Sequence, residues 1–158
     1  MSYIEENLLP GEDVQYRAKL HWIIHLPWIS WAILALALAI AALTLRNPPA
    51  LPNMLFVGAA ICLLLAIVTG IPSLIRASSS EFAVTNRRVL VKVGFIKRRT
   101  LELMLNKVEV IGVDQTIWGR LFNYGTITIT GTGGTHEPFT NISHPLEFRH
   151  NVQAHIPI

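Results

Sequence analysis

Seven basic side chains crowd one part of this chain: Arg76, Arg87, Arg88, Lys92, Lys97, Arg98 and Arg99. Six of them fall in "TNRRVLVKVGFIKRRTLEL", Thr85 to Leu103. From Arg76 to Arg120 there are nine basic and four acidic residues, an excess of five against a net +3 for the whole chain. Fixed cations at this density are suited to anions. Near an anionic lipid surface each contributes about 1 kcal/mol, screened away within a Debye length. The same residues also fit a plainer role, blunting sheet edges and marking the cytoplasmic side of a membrane. Both roles stay open. Strand alternation sets Arg88, Leu90 and Lys92 on one face and Val89, Val91 and Val93 on the other. It sets Lys97 and Arg99 on one face of the next strand, with Arg98 opposite.

No other group of residues makes a convincing chemical site. "GTGGT", Gly131 to Thr135, lacks the Lys-Ser/Thr ending of a phosphate loop and reads as a hairpin turn. His21 and His25 have the i, i+4 spacing of a ligand pair, but no cysteine or local carboxylate joins them, and they read as interfacial residues. His136, His144, His150 and His155 are scattered. Glu102 and Glu109 stand beside basic neighbours and form no acid–base pair. Ser78 to Ser80 have no adjacent base and read as linker. The expectation is therefore no catalytic residue, no metal, no cofactor and no evident small-molecule substrate. Nucleic acid is set aside because aromatics do not interleave with the basic strands.

What positions the basic run is a chain of two parts. Half of the 158 residues are hydrophobic, and they concentrate between Trp22 and Ile75. Residues 22–45 and 54–75 are apolar runs free of Asp, Glu, Lys and Arg, each long enough to cross ~30 Å of hydrocarbon. "RNPPALPN", Arg46 to Asn53, forces a reversal between them. A two-helix transmembrane hairpin follows. Arg17, Lys19 and Arg76 on one side against Arg46 on the other place both termini on the cytoplasmic side of a membrane crossed more than once. Trp22, Trp28 and Trp31 suit an aromatic belt. Gly58 with Ala59 and Ala60 permits close helix approach, and Gly70 with Pro72 should kink the second helix. Cys62 reads as a packing residue.

The domain plan is an N-terminal cytoplasmic segment 1–21, the hairpin 22–75, and a cytoplasmic domain 76–158 tethered by "RASSS". In the last part the period becomes two. "EFAVT", "RVLVKV", "KRRTLELML" and "KVEVIGVDQ" read as strands, the last with Val108, Val110 and Val113 inward. "TIWGRLFNYG" reads as a bent or helical connection, and "TITITGTGGTHEPFTNI" as a hairpin. Ser143 is placed as an N-cap, with Pro145 in the first turn and Phe148, Val152 and Ile156 as one apolar stripe. The fold class is membrane α+β.

Three stretches give a resemblance: "LLPGEDVQYRAKLHW", "EFAVTNRRVLVKVGFIKRRT", and the "LNKVEVIGVDQ" strand with its following "GRLFNYGTITITGTGG". With two helices before the strands, the chain resembles the bacterial pleckstrin-homology-like membrane proteins over nearly its whole length. The resemblance implies a PH-like bent antiparallel barrel or sandwich closed by a C-terminal helix. The basic run is similar in position to the cations that phosphoinositide-binding PH domains carry around their first hairpin, without their spacing. The functional expectation is a non-enzymatic, membrane-anchored interaction module that holds a protein or peptide partner and contacts lipid headgroups. The alternative is a structural protein that self-associates or serves a larger membrane complex.

Overall fold

The structure is a computed structural model and describes residues 3–45, 50–94, 99–134 and 136–156. The chain divides into two compact units, Trp22–Ile75 and the combination of Met1–His21 with Arg76–Ile158.

In the apolar unit a 3-10 turn, Trp22–His25, leads into α2, Leu26–Thr44, and a second helix, α3, covers Leu51–Ser79. Pro27 and Pro52 sit in first turns, where a missing N–H costs nothing. The helices run antiparallel: a Cβ on Gly58 would meet Leu38 at 3.5 Å, one on Gly70 would meet Trp28 at 3.3 Å, and the Ser73 hydroxyl donates to the Ile24 carbonyl at 2.8 Å. Small buried residues line the seam, namely Ala35, Ala42, Ala59, Cys62 and Ala66. They let the two backbones approach closely. Large apolar side chains such as Leu36, Leu43, Val57, Leu64 and Val68 point outward and stay exposed. Both helical segments, 23 and 29 residues, are long and apolar enough to cross a membrane. Gly70 serves the close approach of Trp28, and Pro72 lies inside a helix that continues past it.

That continuation corrects one expectation. Arg76–Ser79 is the last turn of α3, not an extended tether. The Ser80 hydroxyl donates to the Arg76 carbonyl at 2.7 Å and closes the turn.

The second unit holds two antiparallel sheets. The first has the order β1 (Val14–Ala18), β2 (Glu81–Thr85), β3 (Arg88–Val93), β4 (Arg99–Met104). The second has the order β5 (Val108–Asp114), β6 (Tyr124–Gly131), β7 (His136–Ser143). The N-terminal segment is thus no separate piece. Its strand β1 pairs with β2 across 60-odd intervening residues, Ala18 opposite Phe82 and Val14 opposite Thr85. A short helix, α1 (Tyr3–Glu6), covers the outer face of the first sheet, where Ile4 packs on Ala83 and Leu90.

At one corner the sheets are stitched by a Leu20–Ile142 bridge, by His21 N–H to the Asn141 carbonyl (2.7 Å) and by Ser143 N–H to the Lys19 carbonyl (3.0 Å). Neither sheet closes on itself, and β4 and β5 do not pair among the described residues. The result is an open two-sheet sandwich rather than a closed barrel. Phe82, Val84, Val89, Val91, Ile127 and Ile129 fill the space between the sheets. The C-terminal helix, α5 (Pro145–Ala154), adds fully buried Phe148 and Val152 to that core. Each such side chain contributes about 1.5–3 kcal/mol of burial.

Three local readings change. Val110 faces outward and is 59% exposed, because a bulge between Val108 and Val110 shifts the register and turns Ile111 and Val113 inward. Ser143 ends β7, and His144 takes the N-cap position of α5 in the left-handed region, φ 52°. The third member of the apolar stripe, Ile156, lies beyond the helix end.

Candidate anion-binding end of the two-sheet unit

Strand register divides the basic run between opposite ends of the first sheet. Strand β1 ends and β2 begins at the end where the chain leaves for the apolar segment and returns. Lys92 pairs with Glu81 and Thr100, and Val93 pairs with Arg99, so Lys92 and Arg99 belong to this root end. Arg76 precedes β2 by one helical turn and belongs there as well. Arg87 and Arg88 lie at the far end, in and just after the β2–β3 turn. Lys97 and Arg98 lie outside the described residues.

Arg88 is not available to an external anion. Only 10% of its side chain is exposed, and it grips Glu12 with two bonds, Nε to Oε1 at 2.9 Å and Nη2 to Oε2 at 3.0 Å. Nη1 reaches Glu102 at 2.6 Å, and Nη2 also donates to the Asn7 carbonyl at 2.6 Å. Glu12 is fully enclosed and further accepts from the Thr85 hydroxyl and the Leu9 N–H. Burial alone would raise the Glu12 carboxyl. The bonds from Arg88, Leu9 and Thr85 overcome that and hold it at about 2. This paired charge straps the N-terminal segment to the sheet. It is a structural use of one of the candidate lipid contacts in the basic run.

The remaining cations differ in freedom. Lys92 is half-buried, with Nζ 5.0 Å from the Tyr3 ring centroid in a cation–π contact. Arg87 is exposed at the far turn. Arg76 is exposed and donates to the Thr140 hydroxyl at 3.2 Å. Arg99 is 65% exposed on its side chain and lies 3.3 Å from Glu137 Oε2, an ion-pair distance without hydrogen-bond geometry. Arg76 and Arg99 rim a cavity of about 100 Å³ between the sheets, floored by Leu20, Phe82, Val93 and Phe139. On the other side of Phe82 a shallower cleft of about 300 Å³ is lined by Arg17, Lys19, Ser78, Ser80 and Glu81. The site at the root end therefore gathers Arg76 and Arg99 with Arg17 and Lys19. Sequence reading counted the last two only as flanking charge. Their membership follows from β1 pairing with β2, which no local pattern announces.

The histidines do not assemble. His21 stacks on Tyr124 with ring centroids 5.1 Å apart. Burial pushes its pKa below the ordinary value, partly offset by a hydrogen bond to the Phe122 backbone, and the neighbouring His144 pushes it further down. His25 instead accepts from Trp28 Nε1 at 3.2 Å and meets the Ser73 hydroxyl at 2.8 Å. Among the described residues no group of three or more His, Cys, Asp or Glu is placed to hold a metal ion.

The sequence matches the family model described as bacterial PH domain over residues 22–156. No curated protein matches it. No solved structure matches it either. The matched span begins after β1, so the strand that completes the first sheet lies outside it.

Proposed function

We propose, for a chain that belongs to the bacterial PH domain family, a non-enzymatic interaction module anchored in the inner membrane by Trp22–Ile75 and held against anionic headgroups by its root end. PH domains are in general interaction modules that bind lipids or proteins, and the chemistry of this end suits the first. Arg76 and Arg99 are solvent-facing cations, Arg99 with Glu137 3.3 Å away, and exposed basic side chains near a membrane surface attract anionic headgroups. The carrying observation is the β1–β2 ladder, Val14–Ala18 with Glu81–Thr85. It joins the strand before the apolar segment to the strand after it, which supports an even number of crossings, and Arg17, Lys19 and Arg76 lie within a few residues of that segment. Short reach makes even weak contact effective. Among the described residues the outer edges of β4 and β5 pair with no other strand, and they offer backbone groups to which a protein partner adds a strand.

The test uses the full chain reconstituted in bilayers containing spin-labelled phosphatidylglycerol or phosphatidylcholine. The parent protein should immobilise more of the anionic lipid than of the neutral one. Arg76→Glu with Arg99→Glu should remove most of that preference, as should high salt. An unchanged preference would show that these cations do not meet lipid. Release of the parent chain from membranes by alkaline washing would end the anchored reading altogether.

A further inference from the structure

The connection between β5 and β6 is built to display apolar side chains. It holds one short helix, α4 (Ile117–Leu121). Ile117 is 86% exposed, Trp118 64%, Leu121 69% and Phe122 42%. Elsewhere in the two-sheet unit exposed large apolar residues such as Leu9, Met104 and Val110 stand singly, which is ordinary. Here four are contiguous, and Trp118 stacks on Phe122 with centroids 6.1 Å apart.

The turn beneath them is fixed. The Thr116 hydroxyl accepts the Gly119 N–H at 3.0 Å and caps the helix. The Gln115 amide donates to the carbonyls of Gly119 (3.2 Å) and Tyr124 (3.0 Å). Gly119 is required, since a Cβ there would lie 2.6 Å from the Tyr124 carbonyl oxygen. Large apolar side chains this exposed on a fixed turn are favoured by an apolar medium over water.

We infer that this medium is the bilayer interface, and that Ile117, Trp118, Leu121 and Phe122 form a wedge that dips among the headgroups and upper acyl chains. The inference rests on the membrane-anchored reading above. Continuity with the membrane entry supports it. The base of the wedge, Phe122 and Tyr124, is bonded to and stacked on His21. One residue later, about 3.8 Å of backbone, the apolar segment begins at Trp22. Composition supports it too: aromatic and aliphatic groups with one exposed arginine, Arg120, match the interfacial pattern in which a long basic side chain reaches back to phosphate.

The experiment labels single cysteines with a polarity-sensitive fluorophore in the full-length Cys62→Ala chain. The chain is reconstituted in phosphatidylethanolamine–phosphatidylglycerol vesicles carrying nitroxide on the upper acyl chain. Three exposed sites are compared: Leu121→Cys in the wedge, Leu64→Cys on α3 and Thr132→Cys in the β6–β7 turn. Leu121 should lose about half its emission relative to nitroxide-free vesicles, as an interfacial group does. Leu64 should be quenched too, and Thr132 should not. Quenching at Leu64 with Leu121 as bright as Thr132 would overturn the wedge and leave the anchor standing. If Leu121 were also shielded from aqueous iodide, a protein or a second copy would be its cover, and the wedge would again be wrong. No quenching at Leu64 would remove the anchor and the wedge with it.

Discussion

The two ends of the first sheet carry the same residue types and put them to opposite uses. At the far end Arg88 is enclosed, doubly bonded to Glu12 and shared with Glu102. At the root end Arg76 and Arg99 face solvent beside an apolar cavity. A cation enclosed and bonded to two carboxylates has no face left for an outside anion, whereas Arg99, beside Glu137 alone and 65% exposed on its side chain, keeps one. In sequence the two ends are indistinguishable, because the acid that neutralises Arg88 comes from a position 76 residues away.

The largest way to sharpen that contrast is to cut the strap. Arg88→Ala leaves Glu12 buried and unpaired, and should lower unfolding stability by about 3–5 kcal/mol. It should also expose the N-terminal segment to protease in detergent micelles. Arg88→Met with Glu12→Leu should recover most of the loss, since both charges go together. Root-end variants such as Arg76→Gln should leave stability within about 0.5 kcal/mol. A stable Arg88→Ala would erase the distinction between the two ends.

Acid should act on the same end. The Glu12 carboxyl is depressed from an ordinary 4.5 to about 2, so its contribution is fully present above pH 4.5 and is lost as pH falls toward 2. Circular dichroism melts of the parent should weaken across that window. Glu12→Gln should be less stable at neutral pH and flatter across the same range. Next in size, Gly119→Ala should destabilise the two-sheet unit by about 1–3 kcal/mol, read by thermal melting, because the new methyl meets backbone that cannot move aside. Smallest is Arg17→Gln. The Arg17–Glu5 pair is about half exposed on each side chain, and its loss should cost under about 1 kcal/mol, diminishing further in high salt.

Legibility in the sequence followed the range of the interaction. The strand over Arg88–Val93 was legible because alternation is a local signal, as was the hairpin around Gly131–Gly134. Both apolar helices were legible from composition, though proline and serine misled at their ends: α3 starts inside the Pro-rich stretch and continues through "RASS". Val110 was misplaced because a one-residue bulge inverts every face after it, and nothing in "KVEVIGV" marks the bulge. The partition of the basic run was not legible at all. It depends on β1 joining β2, a pairing between residues far apart in the chain, and on Glu12 meeting Arg88 once that pairing exists.

That pairing also bears on how the molecule is made. During synthesis Val14–Ala18 emerges long before Glu81–Thr85, and must wait without this ladder partner until the whole oily stretch has been made. A nascent chain whose two ends were stranded in different compartments could never finish the sheet. Its half-built β-body, missing an edge and the Glu12 counter-ion, would be a ready target for proteolysis. On the membrane-anchored reading proposed above, completion of the sheet would act as a proofreading step on insertion, with the folded body certifying that the threading came out right.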